Sequence, residues 1–184
     1  MGALRVHITG ASGTGTTTLG RYLAQQIKAL HMDTDAFFWL PTDPPFSAKR
    51  PVQDRVQMLD VELARSASWV LSGSLVGWGD VFIPHFDLVA FLYVPPDVRM
   101  ARLLERERAQ YGDELEKAGS SAEIHAAFMR WARSYDDPTF SGRSLHGHKA
   151  WLARLQCPVV EVEGTPTVEE STARIMTVLG QCRC

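Results

Sequence analysis

One short stretch limits what this chain can fold into: Gly10-Ala11-Ser12-Gly13-Thr14-Gly15-Thr16-Thr17-Thr18. An apolar run from Leu4 to Thr9 precedes it, and Leu19 to Ile27 follows with helical character. The predicted order is strand, glycine-rich turn, helix. Glycines let a backbone turn with positive φ and approach a ligand closely. Successive amides then point inward as an anion nest, and the helix behind adds free N-terminal donors and the positive end of its dipole. The spacing Gly10-x4-Gly15-x-Thr17 matches a phosphate-binding loop, with Thr16 standing where the pattern has lysine. The backbone cradle survives that change. What is lost is a point charge that follows the β- and γ-phosphates during transfer. Thr17 or Thr18 offers a hydroxyl to Mg²⁺.

The chain has 184 residues, which fits one domain over 1–184. A chain of this size buries about 70% of its unfolded surface and needs no disulfide or metal staple. The net charge of −2 gives no electrostatic case for a nucleic-acid or membrane partner. Met1 to Ile8 lacks the apolar core of a signal peptide, and no stretch approaches the length of a spanning helix. The expectation is a cytoplasmic protein, monomer or homodimer. Cys157, Cys182 and Cys184 do not form a disulfide framework. Cys157, followed by Pro158 and a strand-like run, reads as a small core residue, and the other two as a frayed tail.

Further along, Ala29 to Met32 predicts a second strand ending in Asp33-Thr34-Asp35. Pro41, Pro44, Pro45 and Pro51 exclude a continuous helix between them. Val52 to Ala67 has helical spacing, with Val52, Val56, Leu59 and Leu63 on one face. Strands are predicted at 69–72, 88–94 and 159–162. The continuous apolar run of 88–94 suits a strand buried on both faces of a parallel sheet. Helices are predicted at 98–110, 120–134, 146–155 and 167–179. Ser120 to Glu123 has capping-box spacing, and Val168, Ser171, Ile175, Val178 and Leu179 are expected to face the sheet. Strands alternating with helices imply a parallel sheet covered on both sides, with ligands beyond the carboxyl ends of its strands. The loop at Gly10, the pair Asp33/Asp35 and the pair Gly73/Ser74 all fall at such ends.

Asp33 and Asp35 share a face if that segment stays extended. One carboxylate would hold Mg²⁺ and the other would orient or deprotonate an acceptor hydroxyl; alternatively, Asp35 caps the following turn. Arg99, Arg102 and Arg106 recur at three- and four-residue intervals, giving one helix stripe. They suit phosphate, or else a solvated face paired with Glu105 and Glu107. Arg143, in Ser141-Gly142-Arg143-Ser144, is a second source of charge, on a loop, and either set could supply what Thr16 lacks. Phe37, Phe38 and Trp39 read as a pocket wall or as core, and Trp78, between Gly77 and Gly79, as a cover over a bound ring. His31, His146 and His148 show no convincing ligand set.

These residues resemble the P-loop small-molecule kinases: adenylate kinase, shikimate kinase and the topology modulation proteins. The resemblance runs from Val6 to about Val162 and rests on Gly10–Thr18, Asp33-Thr34-Asp35, Ser72-Gly73-Ser74 and the arginine helix after Val94. His31 to Trp39 looks like the His-Leu-Asp-x4-Trp stretch of the topology modulation group, and Asp33-x-Asp35 like the shikimate kinase pair. The implied fold is α/β, a three-layer P-loop NTPase fold with a five-stranded parallel sheet in order 2-3-1-4-5. It carries a substrate-binding insert over about 37–68 and a lid over about 107–145. The departures are Thr16 and the absence of the Asp-Gly-x-Pro-Arg signature of adenylate kinase after the third strand.

The expected activity is transfer of the γ-phosphoryl group of ATP, with Mg²⁺, to a small nucleoside, nucleotide or alcohol. Nucleotide would bind at Gly10, Ala11, Ser12, Gly13, Thr14, Gly15, Thr16, Thr17 and Thr18, and metal at Thr17 and Asp33. Acceptor would bind at Asp35, Trp39, Gly73, Ser74 and Trp78. Asp35, Arg102, Arg106 and Arg143 would be catalytic. The alternative, motivated by Thr16, is a catalytically weak nucleotide-binding regulator.

Overall fold

The computed structural model describes residues 3–112 and 120–181. Residues 113–119 of the expected lid, the side chains of Ser120 and Ser121, and Cys182 and Cys184 lie outside them. Five parallel strands form one sheet in the order β2-β3-β1-β4-β5: β1 Arg5–Gly10, β2 Leu30–Asp33, β3 Trp69–Ser72, β4 Leu88–Tyr93 and β5 Val159–Glu163. β1 lies at the centre, with Val6 opposite Val70 on one side and Leu88 on the other.

Successive side chains of a strand point to opposite faces, so β4 serves two cores. Leu88 and Ala90 pack with Val6, Ile8, Leu19, Leu23, Ile175 and Leu179, under α1 (Thr16–Ile27) and α7 (Val168–Gln181). Val89 and Phe91 pack with Leu59, Leu71, Phe82 and Trp151 on the other face. That face is covered by α3 (Val52–Leu63), a 3-10 segment at Asp80–His85 and α6 (Leu145–Leu152). Each fully buried Leu or Phe contributes roughly 1.5–3 kcal/mol. Strand β5 alternates exposed and buried positions, because only one of its faces is covered.

A short helix, α2 (Asp35–Phe38), follows β2, so the chain does not stay extended through Asp35. α3 ends at Leu63, short of Ala67, and Val52 is 48% exposed while Arg55 takes a buried place on the helix. The arginine helix is α4 (Pro96–Tyr111), followed by α5 (Ser120–Arg133) and a 3-10 turn at Ser134–Asp136. Thr167 stands just before α7. Its hydroxyl accepts from the Glu170 amide at 3.1 Å, and Glu170 Oε2 accepts from the Thr167 amide at 2.8 Å, a reciprocal cap.

Candidate active site

The phosphate loop joins β1 to α1. Gly15 has φ 91°, in the left-handed region, and a Cβ there would meet nothing within 4 Å, so the space above the loop is open. Among the described residues no side chain caps α1. Its first amides have no partner within the helix and need one outside it. Beyond the loop lies a cleft of about 630 Å³. Residues Gly10 to Thr18 line it, together with Asp33, Asp35, Gly73, Arg102, Arg106 and Arg143.

Asp33 is held from three sides. Its Oδ2 accepts from Thr17 Oγ1 at 2.6 Å and from Ser72 Oγ at 3.2 Å, and its Oδ1 accepts from the Asp35 amide at 3.0 Å. That last bond is a local turn contact just before α2, made by the Asp33 carboxylate to the Asp35 amide. Thr34 is helical, with φ −60°, so the extended arrangement that would put Asp33 and Asp35 on one strand face is not the one adopted. Both carboxylates nevertheless reach the same cleft. Asp35 meets water along the cleft but is set within surrounding protein. Loss of bulk solvent and the charge of Asp33 raise its pKa, opposed by Arg143, the Trp39 indole and Arg106.

The arginine stripe divides. Arg99 is 1% exposed and turned into the protein. It pairs with Asp136 at 2.6 Å and donates to the carbonyls of Ala132 at 2.9 Å and Ser12 at 3.5 Å. Arg102 and Arg106 line the cleft. Arg106 pairs with Glu107 at 2.9 Å, and the other oxygen of Glu107 lies 3.1 Å from His125 Nδ1. Arg143 donates to Ser12 Oγ at 2.5 Å, and its guanidinium lies 4.8 Å over the Trp131 ring.

Two expected acceptor residues point elsewhere. Ser74 follows the positive φ of Gly73, its amide donates to Thr34 Oγ1, and its hydroxyl turns inward to His148 Nε2 at 3.1 Å. Trp78 is core: it is 7% exposed, and its indole N–H donates to the Ser74 carbonyl at 3.0 Å. The flanking glycines do not free it, because Gly79 packs onto Leu75. Trp39 does line a space, a second cavity of about 330 Å³ that shares Asp35 with the cleft. Phe46 and Arg50 line it too and went unnoticed in the sequence. Their signal was one aromatic and one arginine in a proline-rich loop. Pro166, just before α7, and Val168 and Ser171 within it also line the main cleft, whereas the sequence assigned Val168 and Ser171 only to the sheet-facing side.

A protein family described as AAA domain matches residues 6–124. The chain belongs to that family, within the P-loop small-molecule kinases. The uncharacterized protein YqaC of Bacillus subtilis is 40% identical over 174 residues, covering 95% of this chain and 96% of YqaC. A cytidylate kinase of Pyrococcus abyssi is 31% identical over 116 residues, covering 58% of this chain and 62% of that protein's length. Among solved structures, a shikimate kinase from Bacteroides thetaiotaomicron superposes with TM-score 0.57 at 21% identity, covering 96% of this chain and 98% of that one. A gluconokinase from Sinorhizobium meliloti superposes with TM-score 0.54 at 16% identity, covering 97% and 92%. These two likenesses show the fold, with its sheet order.

The phosphate loop keeps its glycines and opens a helix that no side chain caps among the described residues, but carries Thr16 at the lysine position. Positive charge reaches the cleft from Arg102, Arg106 and Arg143 instead.

Proposed function

We propose that the chain is an ATP-dependent, Mg²⁺-requiring phosphotransferase acting on the hydroxyl or phosphate of a small molecule. The observation that carries this reading is the convergence on one cleft of an open phosphate loop, the Thr17–Asp33 pair, a second carboxylate and three arginines. The loop amides from Gly10 to Thr18 bind the phosphates. Asp35 accepts the proton of the acceptor hydroxyl and orients it. Arg102, Arg106 and Arg143 stabilise charge on the transferring group.

The donor set fits Mg²⁺. Thr17 and Asp33 offer hard oxygens, and among the described residues no group of three or more His, Cys, Asp or Glu could hold a metal unaided. Mg²⁺ is bound through one or two carboxylates plus substrate phosphates, which is what this cleft can provide. Bound there, the ion would supply neutralisation of phosphate charge.

The cavity at Trp39, Phe46 and Arg50 takes the acceptor, since Asp35 stands between it and the phosphate loop side. Residues of about 37–68 act as the acceptor-binding insert and about 107–145 as the lid, which excludes water from the transfer. ADP release with a panel of nucleosides, nucleotides and sugar-type alcohols tests this reading. No acceptor-dependent ADP release from any of them, together with ATP binding, would leave the regulator reading that Thr16 favours. Turnover of about 1–100 s⁻¹ would remove the regulator reading.

A further inference from the structure

Behind the carboxylate of Asp33 stands a second layer of side chains that does not line the cleft. His31 and Asp33 are two residues apart on β2, so they share a face of the sheet, and Asp33 stands opposite Ser72 of β3. His31 Nε2 lies 3.0 Å from Ser72 Oγ. Ser72 Oγ lies 3.2 Å from Asp33 Oδ2, the oxygen that also accepts from Thr17. Ser72 is fully buried, and a buried hydroxyl depends on partners from the protein. Helix α1 leaves room for this contact. Gly20 sits inside that helix, where glycine is disfavoured relative to alanine. A Cβ there would lie 2.8 Å from His31 Nε2 and 3.1 Å from Ser72 Cβ. The space a methyl group would fill is taken by the edge of the imidazole.

Ser72 has one hydroxyl hydrogen and three neighbours within reach of it: His31 Nε2, Asp33 Oδ2 and the Met32 carbonyl at 3.3 Å. The carboxylate and the carbonyl only accept. An imidazole with a bare Nε2 would take that hydrogen and leave oxygen lone pairs facing Asp33 Oδ2. An imidazole with its proton on Nε2 donates to Ser72 Oγ instead, and the hydroxyl hydrogen is left for the acceptors. An ionised carboxylate draws that hydrogen more strongly than a neutral carbonyl does. The second arrangement satisfies the carboxylate, and it holds whether the ring is neutral or charged.

Resting on the Mg²⁺ reading of Thr17 and Asp33 above, we propose that His31 is a positioning residue for the metal-binding carboxylate. Its Nε2–H, donated to Ser72, commits the Ser72 hydroxyl to Asp33 Oδ2 and so fixes the carboxylate toward the cleft. His31 is not among the residues that line the cleft and acts through two hydrogen bonds in series. Outer groups that orient a ligating side chain are worth about 10–100-fold in metal affinity.

Titration with Mn²⁺, read by its electron paramagnetic resonance signal beside a saturating non-hydrolysable ATP analogue, tests the assignment. Carboxylate and phosphate oxygens suit Mn²⁺ as they suit Mg²⁺. His31→Leu should weaken Mn²⁺ about tenfold or more, and Ser72→Ala to a similar degree. The double variant should lose no more than about twofold beyond either, since both substitutions break one chain of bonds. His31→Gln keeps an amide N–H for Ser72 and should stay within about threefold of wild type. Gly20→Ala removes no polar group but pushes the ring off Ser72, and should weaken Mn²⁺ about threefold or more. Calorimetry with the analogue and no metal should give affinities within about twofold of wild type throughout. Mn²⁺ affinity within about twofold of wild type in His31→Leu overturns the assignment. So does a loss in His31→Gln as large as that in His31→Leu, additive losses in the double variant, or an equal loss of metal-free analogue affinity. Should thermal melts show His31→Leu unfolded, Gly20→Ala and His31→Gln decide in its place. A loss in the first with retention in the second supports the assignment, and any other result overturns it. Mn²⁺ binding unchanged in Asp33→Asn overturns the metal reading and this assignment together. Binding weakened in Asp33→Asn but not in His31→Leu overturns this assignment alone.

Discussion

Thr17 Oγ1 lies 2.6 Å from Asp33 Oδ2, which ties the first turn of α1 to the last residue of β2. The same carboxylate also receives Ser72 Oγ and the Asp35 amide, so it organises two strand ends and the start of α2. Asp33→Ala leaves partly buried donors unsatisfied and should destabilise the fold by about 1–3 kcal/mol in urea denaturation. It should also raise the Mg²⁺ concentration needed for half-maximal turnover, while nucleotide binding without Mg²⁺ stays near wild type. An unchanged Mg²⁺ dependence would remove Asp33 from the metal site.

Asp35 opposes folding in its ionised form. Its pKa is raised in the folded chain, so the native state holds the proton more tightly than the unfolded state does, and stability falls as pH rises through this range. Asp35→Asn should therefore melt no lower than wild type at neutral pH, while turnover drops by about 10²–10⁴-fold. In wild type, turnover should rise with pH through an acid limb displaced above the ordinary carboxylate range. A melting point well below wild type, or retained turnover, would argue against the role given to this carboxyl.

Gly73 has φ 108°, and a Cβ there would overlap Thr34 Oγ1. That hydroxyl also accepts from the Ser74 amide at 3.1 Å. Gly73→Ala should destabilise the chain by about 1–3 kcal/mol from the backbone conformation alone, with the overlap adding to it. Equilibrium denaturation measures the loss, and a variant as stable as wild type would contradict this geometry.

Two buried histidines should make the fold acid-sensitive. Burial lowers the pKa of His7 to about 4 and of His148 to about 3. The unfolded chain takes up these protons at higher pH than the native one. Stability should therefore hold above about pH 6.5 and decline below it, by up to about 1.4 kcal/mol per pH unit for each histidine. Among the described residues His7 Nδ1 bonds to the Leu71 carbonyl and its Nε2 has no hydrogen-bond partner, while the ring stacks on Phe86. His7→Leu should flatten the decline between pH 6.5 and 4 in thermal melts. An equally steep decline in that variant would assign the effect elsewhere.

The phosphate loop and the sheet were legible because glycine spacing and apolar runs are local signals. The sheet order followed from the resemblance to P-loop kinases, since no local pattern states which strands pair. Direction was harder to read. Arg99, Arg102 and Arg106 share a helical interval, but the first turn of α4 lies beneath the phosphate loop, so Arg99 is buried there and its successors reach the cleft. Asp33 and Asp35 suggested a two-residue period, but the Phe37 and Phe38 amides bond to the Thr34 carbonyl and turn the chain into a helix at Asp35. Trp78 resembled a loop residue because of its glycine neighbours, yet Gly79 packs closely onto Leu75 and the indole lies in the core. His148 gave no signal. Its partners Thr9, Ser74 and Tyr135 come from three separate parts of the chain and meet only in the folded molecule.

The guanidinium of Arg99 has a mechanical consequence. It grips the carbonyl end of α5 at Ala132 and the turn at Asp136 while touching the phosphate loop at Ser12. The last turn of α5 and the phosphate loop therefore share one rigid tether, and a displacement of either is transmitted to the other through a single side chain.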